Sequence, residues 1–228
     1  MTANAVPGFL PSRNGFRFAN SWPAGPARTW HLGLVHLGIG DVGRGLCGGM
    51  AFAARDRFER GESSAPDTTA PTPGSPLFME IVDRQFDSFG RLFEVPARFL
   101  ISALGSDARR WHATVNDAWP VIRGEIDAGA PAMVGLVRRP GLHALARDFG
   151  HQVVAYRYDV SPARVAIGIY DPNHPGDDSV EVGFERTSDG GRRLWQSTGE
   201  PLLGLIHLPW RSRAATATEP ATGPATGP

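Results

Sequence analysis

The chain has 228 residues, 41% of them hydrophobic, enough for a substantial core in one large unit or two small ones. Its 23 basic and 23 acidic side chains cancel, which argues against a partner held by a basic surface, nucleic acid above all. Every basic residue is an arginine, so no Schiff base or phosphate-loop lysine is available, and the single cysteine excludes an internal disulfide and a multi-cysteine metal site.

Along the chain, the start MTANAVPGFLPSRNG lacks the basic and apolar regions of a secretory signal. No apolar run approaches the roughly 18 residues that would span a bilayer. The expectation is a cytoplasmic protein with no membrane partner; composition fixes no oligomeric state. Residues 1–30 read as an irregular arm pinned by Phe9, Phe16, Phe18, Trp22 and Trp30. A glycine-rich stretch, 38–49, leads into a helix expected over 47–60. Cys47, Met50, Ala51, Ala54 and Phe58 share one face, Asp56 and Arg60 lie on the other, and Gly61 stops it. Phe52 lies off the apolar stripe. Residues 62–75, ESSAPDTTAPTPGS, are a low-complexity surface loop.

Helical character follows over 76–89, 92–103 and 106–128, with a helix start expected near Pro120 because proline suits a first turn. After Ala130 the pattern turns to short strands, at 132–137, 152–158, 164–170, 180–184 and 204–208. One or two helical turns are expected at 142–147, and a hairpin at Asp189-Gly190-Gly191. The order of helices first and strands second predicts an α+β fold, a helical half packed on an antiparallel sheet. Residues 1–213 then form one domain, and the tail 214–228 is disordered.

Three places carry chemistry. In Gly45-Leu46-Cys47-Gly48-Gly49-Met50 the one thiol sits where a loop enters a helix. A helix N-terminus favours the thiolate and offers free N–H groups to an oxyanion, and glycines let a substrate approach the backbone. In Gly150-His151-Gln152-Val153-Val154-Ala155-Tyr156 a histidine opens a strand, and in Ile169-Tyr170-Asp171-Pro172-Asn173 an aspartate ends the next one. The turn between the two strands is short enough to pair them, which would bring His151 beside Asp171. Cys47 is then the nucleophile and His151 the base, with Asp171 or Asn173 orienting the imidazole.

These three motifs, in this order, resemble the papain-like cysteine peptidase superfamily, and within it the branch that includes the bacteriocin-leader peptidases. The resemblance spans about residues 40–175. It implies a Cys-bearing helix packed on a sheet that carries His and Asp, with cleavage of a peptide or other amide and neither cofactor nor metal. The family commonly places an oxyanion-binding glutamine a few residues before the cysteine. Here Asp41 stands six residues before Cys47, and the glutamines are Gln85, Gln152 and Gln196, all downstream. Asn20 or a backbone N–H is left as the oxyanion donor.

Other readings belong beside this one. Asp171, Asn173, Asp177 and Asp178 offer calcium-type oxygens, but the twelfth position of such a loop is Val182 rather than Glu. His31 and His36 have no acidic or thiol partner in register. Gly38-Ile39-Gly40-Asp41-Val42-Gly43 spells G-x-G-x-x-G without the strand–helix–strand unit a dinucleotide needs. Beside hydrolysis stand two alternatives: a papain-like peptide-binding module with weak or no catalysis, and an acyltransferase using the same thioester.

Overall fold

The computed structural model describes residues 1–32, 35–41, 45–63, 66–91, 94–141 and 150–213, with the backbone alone for 26–32 and 35–41. The molecule is mixed α and β. Nine strands are described: β1 Thr2–Ala5, β2 Pro26–Leu32, β3 Val35–Asp41, β4 Ala132–Val137, β5 His151–Val160, β6 Arg164–Tyr170, β7 Glu181–Arg186, β8 Arg192–Gln196 and β9 Gly204–His207. The α-helices are α1 Pro11–Asn14, α2 Cys47–Glu59, α3 Pro76–Asp87, α4 Glu94–Leu104, α5 Asp107–His112 and α6 Trp119–Asp127. A seven-stranded antiparallel sheet runs in the order β8-β7-β6-β5-β4-β9, with β1 paired to β5 where β4 has ended; β2 and β3 form a separate hairpin.

The sheet is built from apolar runs. All six residues of β4 are buried, as are the first six of β5 and the last six of β6. Such continuous burial marks central strands covered on both faces. A register irregularity between Ala155 and Arg157 of β5 falls where its neighbour changes from β4 to β1. α2 packs on α3 and on β5, so the thiol-bearing helix lies against the centre of the sheet.

Several expectations are corrected. Strands also precede the helices: the arm supplies β1 and α1, and β2 and β3 occupy what reads as arm and glycine-rich loop. The arm is pinned as expected at Phe9, Phe16, Phe18 and Trp22, which are buried in the core. The hairpin at Asp189-Gly190-Gly191 joins β7 to Arg192–Gln196, a strand the hydrophobic pattern does not show. The helix start expected near Pro120 is that of α6, at Trp119 with Pro120 in its first turn; a π-helical turn over Ala113–Ala118 runs into it, with Trp119 N–H donating to the Thr114 carbonyl. That wider turn accommodates a residue that cannot donate and crowds the preceding turn. Asp56, opposite the apolar stripe, is buried and ion-paired to Arg84. Phe52 is buried too, with the Arg84 guanidinium 5.1 Å from its ring centre. Residues 142–147 and the tail beyond 213 lie outside the described residues.

Candidate active site

Cys47 is the first residue of α2. The first amides of a helix have no partner within it, and here side chains take two of them. Leu46 N–H donates to Asn20 Oδ1 at 2.5 Å, and Gly49 N–H donates to Gln85 Oε1 at 2.9 Å. Met50 is the first residue to bond back to Leu46, at 2.9 Å. The amides of Cys47 and Gly48 take no acceptor among the described residues, so they remain at the helix end beside the sulfur.

The glycines around the thiol do different work from the one expected of them. A Cβ on Gly49 would overlap the backbone carbonyl of Ile81, and one on Gly48 would overlap Ser88 Oγ and crowd Gln152. They let α2 close on α3, which seats Cys47, rather than opening the backbone to a substrate. Gly150 does the same for the histidine. Its φ of 78° suits glycine alone, and the Phe99 ring occupies the space a Cβ would need. The chain therefore enters β5 at one angle, and His151 follows.

His151 and Asp171 meet through the β5–β6 register. Val154 pairs with Tyr170 and Ala155 with Ile169, so one step further Asp171 faces Val153. Side chains alternate along a strand, which puts His151 on the same face, a diagonal neighbour. His151 Nε2 lies 2.5 Å from Asp171 Oδ1. The imidazole is also electrostatically coupled to Cys47.

The electrostatics follow from burial and partners. Cys47 is partly exposed at its surface. Burial by itself pushes its thiol up, but the hydrogen bond to His151, the imidazolium charge and the Gln152 amide outweigh it, and the thiol ends below its ordinary value. Burial pushes His151 down, yet Asp171 and Cys47 raise it to about 9. Asp171, fully buried, is pushed up by desolvation and pulled further down by His151, the Asn173 amide and Arg138, so it stays well below the usual carboxylate range. The three shifts all favour the same charged set, thiolate, imidazolium and carboxylate.

The other candidates fall as follows. Asn173 does not hold the imidazole; its N–H donates to Asp171 Oδ1 at 2.9 Å, and its side chain accepts from Asn20 Nδ2 at 3.1 Å. Asn20 thus ties the start of α2 to the loop after β6, with its amide beside the helix N-terminus. Asp41 ends β3 opposite Pro26; its backbone alone is described. His31 and His36 are cross-strand partners of each other in the same hairpin. The calcium-type loop disperses: Asp178 binds Ser12, Asp177 binds Ser179, and Asp171 serves His151.

Sequence reasoning missed five participants. Gln85 caps Gly49, and Gln152 donates to Ser88 Oγ at 3.2 Å beside Gly48. Behind Asp171 stand Arg138, Gln196 and Glu200. All three glutamines of the chain therefore converge on this site, though none precedes Cys47. Their scarcity was the one available signal. Asp171, His174 and Glu200 also bring ligand-type atoms within 4.8 Å of one another. The Arg138 guanidinium already lies against both carboxylates, at 3.4 and 3.1 Å, as the cation among them.

No protein-family model, curated protein or solved structure matches the chain.

Proposed function

We propose that the protein is a papain-like cysteine hydrolase that cleaves a peptide or other amide bond. The observation that carries this reading is His151 Nε2 lying 2.5 Å from buried Asp171, with the imidazole electrostatically coupled to Cys47 at a helix N-terminus. The thiolate of Cys47 attacks the carbonyl carbon, and its Sγ–C bond forms as the carbonyl takes up negative charge. The amides of Cys47 and Gly48 lie where a helix end stabilises that oxyanion, and the side-chain amides of Asn20 and Gln152 stand on either side of this turn as further donors. His151 gives its proton to the leaving nitrogen as the C–N bond breaks. Water then attacks the thioester, His151 accepts its proton, and Cys47 leaves as thiolate. Asp171 stays ionised and holds the imidazolium.

The test is direct because Cys47 is the only thiol. A mechanism-based thiol reagent carrying a peptidyl recognition element should label the chain once, at Cys47. Cleavage of a peptide library should vanish in Cys47→Ala. Cleavage that persists in that variant would overturn the reading. Labelling without turnover would point to the binding module, and an amide formed with an added amine would point to acyl transfer.

A further inference from the structure

We infer that Arg138 is a positioning residue, standing between the carboxylates of Asp171 and Glu200 so that Asp171 stays ionised and turned toward His151. This deepens the Cys47–His151–Asp171 reading and rests on it. Arg138 directly follows β4, and its side chain is 15% exposed. One nitrogen, Nη2, faces three acceptors: Gln196 Oε1 at 3.1 Å, Glu200 Oε2 at 3.1 Å and Asp171 Oδ2 at 3.4 Å.

The two oxygens of Asp171 differ. Oδ1 accepts from Asn173 N–H at 2.9 Å and meets His151 at 2.5 Å. Oδ2 has longer approaches only, from Arg138 and Gln196 at 3.4 Å and His174 Nδ1 at 3.5 Å. The charged and titratable groups facing Asp171 are therefore His151, Arg138, His174 and Glu200, with the Cys47 thiolate beyond the imidazole. Glu200 is gripped by Arg138, by Gln196 Nε2 at 2.8 Å and by Thr198 Oγ1 at 2.8 Å. Arg138 is thus aimed mainly by Glu200 and Gln196, and Asp171 feels its charge without giving up its bond to His151.

Removing Arg138 leaves two carboxylates within 4.8 Å of each other with neutral Gln196 between them. Two such groups cannot both stay ionised cheaply, and one takes a proton. Asp171 keeps His151 and the Asn173 amide but loses the Arg138 charge and gains an uncompensated carboxylate beside it, so its carboxyl takes up a proton at a higher pH than before. A neutral Asp171 no longer anchors the imidazolium, and the thiolate is lost at a higher pH than before.

The experiment is the rate of Cys47 alkylation by iodoacetamide, read by intact mass over about pH 3 to 9. In the unaltered chain, a thiol titrating like free cysteine would remove the Cys47–His151 pair, and this inference with it. With a depressed acid limb established there, Arg138→Gln should raise that limb by about one pH unit or more. Arg138→Lys should keep it near its starting place. Arg138→Gln combined with Glu200→Gln should return it, because one carboxylate then stands alone. A purely structural Arg138 would cost stability without moving the limb, or would not be rescued by Glu200→Gln; either result overturns the inference. If Arg138→Gln does not fold, Glu200→Gln alone decides. It should lower the limb, and an unmoved limb refutes the coupling.

Discussion

The two ends of α2 carry similar parts arranged to different ends. At its start, Cys47 is electrostatically coupled to His151, which is 2.5 Å from Asp171, with Arg138 behind. Near its other end, Asp56 pairs with Arg84 at 2.8 Å and accepts from Trp210 Nε1 at 3.0 Å, while Arg55 and His207 share Glu125 at 3.2 and 2.9 Å. Both clusters hold a histidine–carboxylate pair and an arginine. At the far end Asp56 is closed by Arg84 and the Trp210 indole, Arg55 stacks over Trp210, and His207 ends on Glu125. At the near end a thiol stands beside helix amides that take no acceptor among the described residues. The two histidine–carboxylate pairs therefore differ in what surrounds them, a thiol at the near end and an arginine-bound carboxylate at the far end.

The largest expected effect tests the near end. In His151→Ala the thiol should return toward its ordinary 9.0, leaving about 0.1% thiolate at pH 6. Alkylation at that pH should fall by up to about a thousandfold, read by intact mass against time. His207→Ala, which breaks the corresponding pair at the far end, should leave the alkylation profile where it was. Equal losses in both variants would erase the distinction between the two clusters.

Next comes the far end. Arg84→Met leaves Asp56 buried beside an apolar side chain, with the Trp210 indole as its remaining donor. Breaking one partner of a buried pair costs about 3 kcal/mol, measurable as a lowered urea midpoint. The acid limb of Cys47 alkylation in the folded variant should not move. A smaller effect links the two ends through the helix between them. Gly49→Ala pushes a methyl group into the Ile81 carbonyl, so α2 and α3 must part, at about 2 kcal/mol. Because the displaced residue lies two positions from Cys47, this variant should lose alkylation as well as stability. Lost stability with an unchanged profile would mean that the α2–α3 contact does not seat the thiol.

What could be read from the sequence divides along similar lines. The strand carrying His151, the strand ending before Asp171 and the short turn between them are local facts, and so is the helix that begins at Cys47; their residues lie within short, strongly patterned runs. Four of the described strands escaped. β1 is exposed along its whole length and shows no apolar alternation, and β8 is an edge strand with arginines at its start. β2 and β3 hide in glycine- and proline-rich sequence. The glycines around Cys47 were legible as unusual but not in purpose, since only the packing against Ile81 and Ser88 reveals it. Arg138 and Glu200 lie 33 residues before and 29 after Asp171 in the chain and are brought together by strand order, which no local pattern encodes.

The smallest expected effect is a slope. His151 is raised to about 9, so its stabilisation is complete below its ordinary 6.5 and is lost as pH rises through about 9. Cys47 is lowered from 9.0, which has the opposite sign: its contribution grows as pH rises from the folded value toward 9.0. Where both apply, the folded state holds one proton more on the imidazole and one fewer on the sulfur than the unfolded state. The two terms oppose each other, so the unaltered chain should show a shallower slope from this pair between about pH 7 and 8.5 than the imidazole alone would give. Cys47→Ala removes one term and leaves the other, because Asp171 still favours the imidazolium. Its stability should fall with rising pH in the same window, by at most about 1.4 kcal/mol per pH unit. Urea midpoints at four pH values would measure it. Parallel curves for the two proteins would mean that sulfur and imidazole do not share a proton, and the near end of α2 would then differ from the far end in composition alone.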